Sequence, residues 1–117
     1  MLLKNQDPRL AAFVVWVPEL GAQEHNVARG TKLVPDSRAS QYWDPSEMVG
    51  TEYGRLLRTP GAAWDVYMLF GAQAVWPKSG VPKPGFWMQQ LDGVTAAPRL
   101  DGGVFAARAA AMLAQVR

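Results

Sequence analysis

The chain has 117 residues, 49% hydrophobic and 19% charged, with a net charge of +2 and no cysteine. That length suits one domain, residues 1–117, able to bury about two-thirds of its unfolded surface, and the apolar fraction excludes a disordered chain. The lack of cysteine excludes disulfides, thiolate metal sites, cysteine nucleophiles and dithiol redox chemistry.

The 12 Lys and Arg residues are scattered singly, whereas a nucleic-acid binder clusters them along a face or helix, so no nucleic-acid partner is expected. No apolar run reaches the roughly 18 residues of a membrane span, so no membrane partner is expected. The N-terminus has no apolar core of signal-peptide length, and a cytoplasmic location is expected.

In chain order, residues 10–17 read Leu-Ala-Ala-Phe-Val-Val-Trp-Val. A run so short, β-branched and aromatic predicts a strand buried on both faces, closed by Pro18. Leu20, Ala22, Val27, Ala28 and Leu33 predict a helix starting near Gly21, weakened at Gly30. Pro35-Asp36-Ser37 is a turn, and residues 40–44 a short strand. Asp44-Pro45-Ser46-Glu47 opens a helix over about 46–58, with Asp44 or Ser46 as cap and Glu47 favouring the positive end of the dipole. Met48, Val49, Tyr53, Leu56 and Leu57 give it an apolar stripe. Gly50 and Gly54 on this helix predict close approach of a neighbouring backbone, and Thr59-Pro60-Gly61 ends it.

Ala63-Trp64-Asp65-Val66-Tyr67-Met68-Leu69-Phe70 is the longest apolar and aromatic run, and Phe86-Trp87-Met88-Gln89-Gln90-Leu91 follows it. Together they predict a β-hairpin around which the chain is organised. Its connection, 71–85, is longer than a hairpin needs, and Trp76 within it is expected to fold back over the sheet. Asp101 caps a final helix, Val104 to about Val116, with Val104, Phe105, Ala109, Met112, Leu113 and Val116 toward the sheet. The predicted fold is α/β, a mixed sheet of about four strands in the order β-α-β-α-β-β-α.

Val15-Trp16-Val17-Pro18, Tyr42-Trp43-Asp44, Ala63-Trp64-Asp65-Val66-Tyr67 and Phe86-Trp87-Met88-Gln89-Gln90-Leu91 resemble segments of an uncharacterised bacterial thioredoxin-like family. The resemblance covers most of residues 9–117. It is to the C-terminal part of a fold of the TlpA and peroxiredoxin type, with Thr51-Glu52-Tyr53-Gly54 in the helix after the Asp-Pro turn. It implies a truncated thioredoxin-like domain without the central strand and cysteine-bearing helix of longer members, in which a histidine often stands where Gln89 does. Thiol chemistry does not carry over. With that strand missing, either the first strand pairs with strand 63–70 or another chain fills the gap, so a homodimer is expected.

Among candidate site residues, Asp65 is the least expected, a carboxylate inside an apolar strand. Alternation puts Asp65, Tyr67 and Leu69 on one face. Asp65, Tyr67 and Gln89 are expected to converge as a polar cluster within an aromatic wall of Trp16, Trp43, Trp64 and Trp87, which doubles as hydrophobic core. His25 lacks a second ligand at metal spacing and reads as a surface residue, so no metal is expected; nor is any cofactor. A one-histidine chain without a nucleophile elbow offers no Ser-His-Asp set, and Gly102-Gly103 is a cap, not a phosphate loop. The expected function is a non-catalytic binding module that self-associates and takes a small apolar molecule or a protein partner. The alternatives are a non-thiol enzyme using Asp65, Tyr67 and Gln89, or a split-fold partner of a separate cysteine-bearing fragment.

Overall fold

The computed structural model describes residues 5–20, 23, 25, 26, 32 and 35–116. The chain divides into two compact units, Met1–Met48 and Val49–Arg117.

In the first unit, β1 (Ala12–Trp16) and β2 (Ala39–Trp43) pair in parallel, from Ala12 opposite Ala39 to Trp16 opposite Trp43. Parallel pairing requires a long crossover. The helix predicted there, from near Gly21 to Leu33, lies largely outside the described residues. Ahead of β2, the Arg38 guanidinium forks onto Asp36, with Nε to Oδ1 at 3.0 Å and Nη2 to Oδ2 at 2.7 Å. Its Nη1 donates to the backbone carbonyls of Asn5 and Asp7 at 2.8 and 2.9 Å. One side chain thus ties the segment entering β1 to the turn entering β2. Arg38 holds the Asp36 carboxyl down at about 2, and Arg9 does the same for Asp7.

β1 is not buried on both faces. Its residues alternate between half-buried and exposed, as do those of β2. The apolar run does not reveal this, because Phe13 and Val15 are as hydrophobic as their inward neighbours.

In the second unit, α1 (Met48–Leu57) is entered through the Asp44 carboxylate, whose Oδ1 accepts the Met48 N–H at 3.0 Å. Just before it, Glu47 takes a left-handed backbone conformation, φ 51°. Burial beside Glu19 pushes the Glu47 carboxyl up. The helix ends with Arg58 left-handed at φ 60° and the Thr59 N–H donating to the Gly54 carbonyl at 3.0 Å. This six-to-one closure usually recruits glycine at the left-handed position. The stripe facing the core is Val49, Tyr53 and Leu57, while Met48 and Leu56 point outward.

Both helix glycines lie against the 61–63 segment, as their spacing predicts. A Cβ on Gly54 would stand 2.2 Å from the Gly61 carbonyl oxygen, and one on Gly50 would stand 3.0 Å from that of Ala63. The Ala63 N–H donates to the Gly50 carbonyl at 2.7 Å across the same contact.

β3 (Val66–Leu69) and β4 (Phe86–Gln89) form the predicted antiparallel hairpin, with Met68 opposite Trp87. Val66, Met68 and Trp87 pack with Tyr53, Leu57 and Ala63 on the α1 side. On the other face, Phe105 of α2 (Gly102–Ala114) meets the rings of Tyr67 and Phe86, each at 6.4 Å between centroids. Arg108 lies over the Phe86 ring, 4.5 Å from its centroid. Asp101 caps α2 by accepting the Val104 N–H at 3.0 Å. Val104 itself is exposed, contrary to expectation: its neighbour Phe105 takes the place against the hairpin, and a step of one residue turns Val104 about 100° around the helix.

The four strands therefore form two two-stranded sheets and not one mixed sheet. Among the described residues β3 pairs with β4 and β1 with β2, and no ladder joins β1 to β3. No described helix is long and apolar enough to cross a membrane.

Candidate functional site

Five of the predicted site residues, Trp64, Asp65, Tyr67, Trp87 and Gln89, fall in the second unit. Asp65 does not continue the strand. It precedes β3 in a left-handed conformation, φ 54°, a region a short polar side chain tolerates better than an apolar one. The Tyr67 hydroxyl donates to Asp65 Oδ1 at 2.8 Å. With its amide nitrogen turned toward the carboxylate, Gln90 donates to Oδ1 and Oδ2 at 3.1 and 3.3 Å. The Gln90 N–H also donates to the Asp65 backbone carbonyl at 3.1 Å. Burial, and then the neighbouring carboxylate, push the Tyr67 hydroxyl up to about 12, so it stays a proton donor to Asp65. The convergence of Asp65 and Tyr67 is as expected, but the glutamine that joins them is Gln90, not Gln89.

Gln89 is only 1% exposed. Its Oε1 accepts the Leu91 N–H at 2.6 Å, and its Nε2 donates to the carbonyls of Ala97 at 3.2 Å and Val94 at 3.5 Å. Its backbone bridges to Arg99, taking the Leu100 N–H at 2.8 Å and donating to Pro98 at 3.2 Å. These bonds satisfy five backbone groups of the 91–100 loop, so Gln89 is an internal brace. Strand parity separates the two glutamines: the register pairs Val66 with Gln89, so the next pair outward is Asp65 with Gln90.

Two open grooves indent this unit. One, about 170 Å³, is lined by Leu56, Leu57, Arg58, Lys83, Pro84, Trp87 and Ala96. The other, about 320 Å³, is lined by Glu52, Arg55, Leu56, Gly80 and Val81. Ligand pockets run to roughly 300–1,000 Å³ and enclose most of the ligand. The first groove is too small for that and the second is open, and neither is lined by Asp65, Tyr67 or Gln89. Trp87 sits in the wall of the first, and Trp64 is half-buried just ahead of Asp65.

The hairpin connection departs further from expectation. Residues 71–80 are all exposed, with Val75 at 77% and Trp76 at 59%, so Trp76 does not fold back over the sheet. The segment is held at its root. The Tyr53 hydroxyl donates to the Pro82 carbonyl at 2.8 Å, and the Gly85 N–H to that of Leu69 at 2.8 Å. Pro84 is buried.

Trp16 and Trp43 belong to the first unit, where they are register partners on the inner face of the β1–β2 sheet. The Trp16 indole N–H donates to Gln41 Oε1 at 2.8 Å, and the buried Gln41 amide nitrogen has no partner among the described residues. The opposite face carries Phe13, Val15, Ser40 and Tyr42. The rings of Phe13 and Tyr42 stack at 6.5 Å between centroids with 23° between planes. Phe13 is 69% and Tyr42 51% exposed. The sequence signal for this pair is the period-two spacing of Phe13 and Val15, concealed within a run that is apolar throughout.

No group of three His, Asp or Glu residues placed to hold a metal occurs among the described residues, and His25 is exposed. No protein-family model, curated protein or solved structure matches the chain.

Proposed function

We propose that the protein is a non-catalytic, thioredoxin-derived binding module of the cytoplasm that self-associates through an aromatic surface. The observation that carries this reading is the stacked, outward-facing pair Phe13 and Tyr42, flanked by Val15 on a two-stranded sheet. A pair of strands alone is marginal in water, and a large aromatic patch left open is a recurrent mark of an interface. The closing β-β-α order and the parallel pair before it support the thioredoxin-like derivation. A protein surface is favoured over a small apolar ligand because the second unit's grooves are small or open.

Sedimentation velocity over a range of concentrations tests the reading. The wild type is expected to sediment as a dimer, and Phe13→Ser or Tyr42→Ser as a monomer with unchanged circular dichroism. A wild type that stays monomeric up to high micromolar concentration overturns it.

A further inference from the structure

The smaller groove of the second unit, about 170 Å³, joins apolar and cationic side chains. Leu57 is buried and Trp87 half-buried there, whereas Arg58 and Lys83 line the same groove with exposed side chains. The ion pairs among the described residues all lie elsewhere: Arg9, Arg38, Arg55 and Arg99 each have an acidic partner, and Arg58 and Lys83 do not. No Asp or Glu lines the groove. Glu52, in the neighbouring groove that shares Leu56, is paired with Arg55 at 3.5 Å. The groove therefore carries two positive charges that nothing in its own lining neutralises.

Its walls are braced from three directions. Arg58 stands left-handed just past α1, where the Thr59 N–H closes on the Gly54 carbonyl at 3.0 Å. Lys83 lies between two anchored points, the Pro82 carbonyl bonded by the Tyr53 hydroxyl and the Gly85 N–H bonded to Leu69, each at 2.8 Å. Ala96 lies between the Val94 and Ala97 carbonyls that the Gln89 amide holds. Little backbone ordering is left for binding to impose, and such ordering is a main cost of association. A cavity of about 150 Å³ admits one benzene-sized ring. The groove thus has room for one apolar side chain, and being open it lets the chain that bears it run on at either side.

We infer that this groove docks an acidic peptide segment of a partner protein: one apolar side chain lies against Trp87 and Leu57, and an adjacent carboxylate meets Arg58 and Lys83. The uncompensated cations select the carboxylate, and the size of the groove selects a single side chain over a whole enclosed ligand. The site is separate from the Phe13–Tyr42 face and does not depend on self-association, so a protein that stays monomeric leaves it standing.

NMR titration of the isotope-labelled protein with the blocked peptide acetyl-Gly-Phe-Glu-Gly-amide tests it. Saturable shifts are expected at the amides of Leu57, Arg58 and Lys83 and at the Trp87 indole, weakening as salt rises. The peptide with Gln in place of Glu is expected to bind about tenfold more weakly at low salt, the worth of two exposed ion pairs, and Arg58→Gly or Lys83→Gln to bind about threefold more weakly each. Arg58→Gly separates binding from folding. Glycine suits the left-handed position better than arginine, so this variant is expected to melt at or above the wild-type temperature while it loses affinity. No saturable shift at about 10 mM peptide overturns the inference. So does equal binding of the Glu and Gln peptides, or wild-type affinity in both variants. Shifts confined to residues 12–16 and 39–43 would place the peptide on the sheet face instead. N-acetylphenylalanine, a free apolar carboxylate, is the remaining arm: binding of it as tight as that of the peptide would make the groove a small-molecule site and overturn the peptide occupant.

Discussion

Alanine is the better helix former, and replacing an interior glycine by alanine ordinarily gains about 1 kcal/mol. Gly54→Ala is expected to do the opposite. The new Cβ would stand 2.2 Å from the Gly61 carbonyl oxygen, more than 1 Å inside ordinary contact, and that atom is backbone and not the end of a pliable side chain. Relief requires the 61–63 segment to move off α1. The movement would strain the Ala63–Gly50 hydrogen bond at 2.7 Å and the bond from the Thr59 hydroxyl to the same Gly61 carbonyl at 2.6 Å. Overpacking of this kind costs about 1–3 kcal/mol and a strained hydrogen bond about 1 kcal/mol more. Set against the propensity gain, the net loss is about 1–3 kcal/mol. For a unit of this size each kcal/mol lowers Tm by about 4–8 °C. Thermal denaturation followed by circular dichroism measures it, with Thr51→Ala, exposed on the same helix, as the control for propensity. A Gly54→Ala protein that melts at or above the wild-type temperature would refute the close-approach account of α1.

Gln89→Leu keeps the size of the side chain but leaves the Leu91 N–H and Ala97 carbonyl without their partner, and is expected to cost about 2–5 kcal/mol, measured by urea denaturation. Faster amide exchange over residues 91–100 should accompany it, and unchanged exchange there would rule out the brace. Acid should weaken the first unit through its two depressed carboxyls. Asp7 and Asp36 sit at about 2 when folded against 3.8 otherwise. Their contribution is therefore complete above about pH 4 and lost as pH falls toward about 2. Asp36→Asn is expected to flatten that part of the stability profile, read from tryptophan fluorescence between those pH values.

What the sequence made legible was local. The Asp101 cap, the stop after α1 and the Gly50–Gly54 contact each depend on residues within a few positions or on one residue type, and each stands where the pattern puts it. The hairpin was legible because two strong β segments sit either side of a Gly- and Pro-rich connection. Which strands share a sheet was not, because Ala12–Trp16 is equally suited to pair with either later strand, and only its pairing with β2 settles the matter. Asp65 shows a second kind of limit. The alternation within one strand does not give the register against its partner, and it is the register, Val66 opposite Gln89, that sets Gln90 and not Gln89 beside the carboxylate. At the candidate interface the obstacle was composition: a wholly apolar strand does not announce which of its faces is open.

The anchored root of the 71–80 arm bears on how the chain withstands cutting and grafting. The two strands that flank the arm are joined by their ladder, and the Tyr53–Pro82 and Gly85–Leu69 bonds close the loop below it. Severing the arm leaves two pieces that still share one core, so a protease nick there produces a two-piece protein rather than an unfolded one. By the same geometry the arm is a natural place to begin a circularly permuted chain or to insert a foreign peptide.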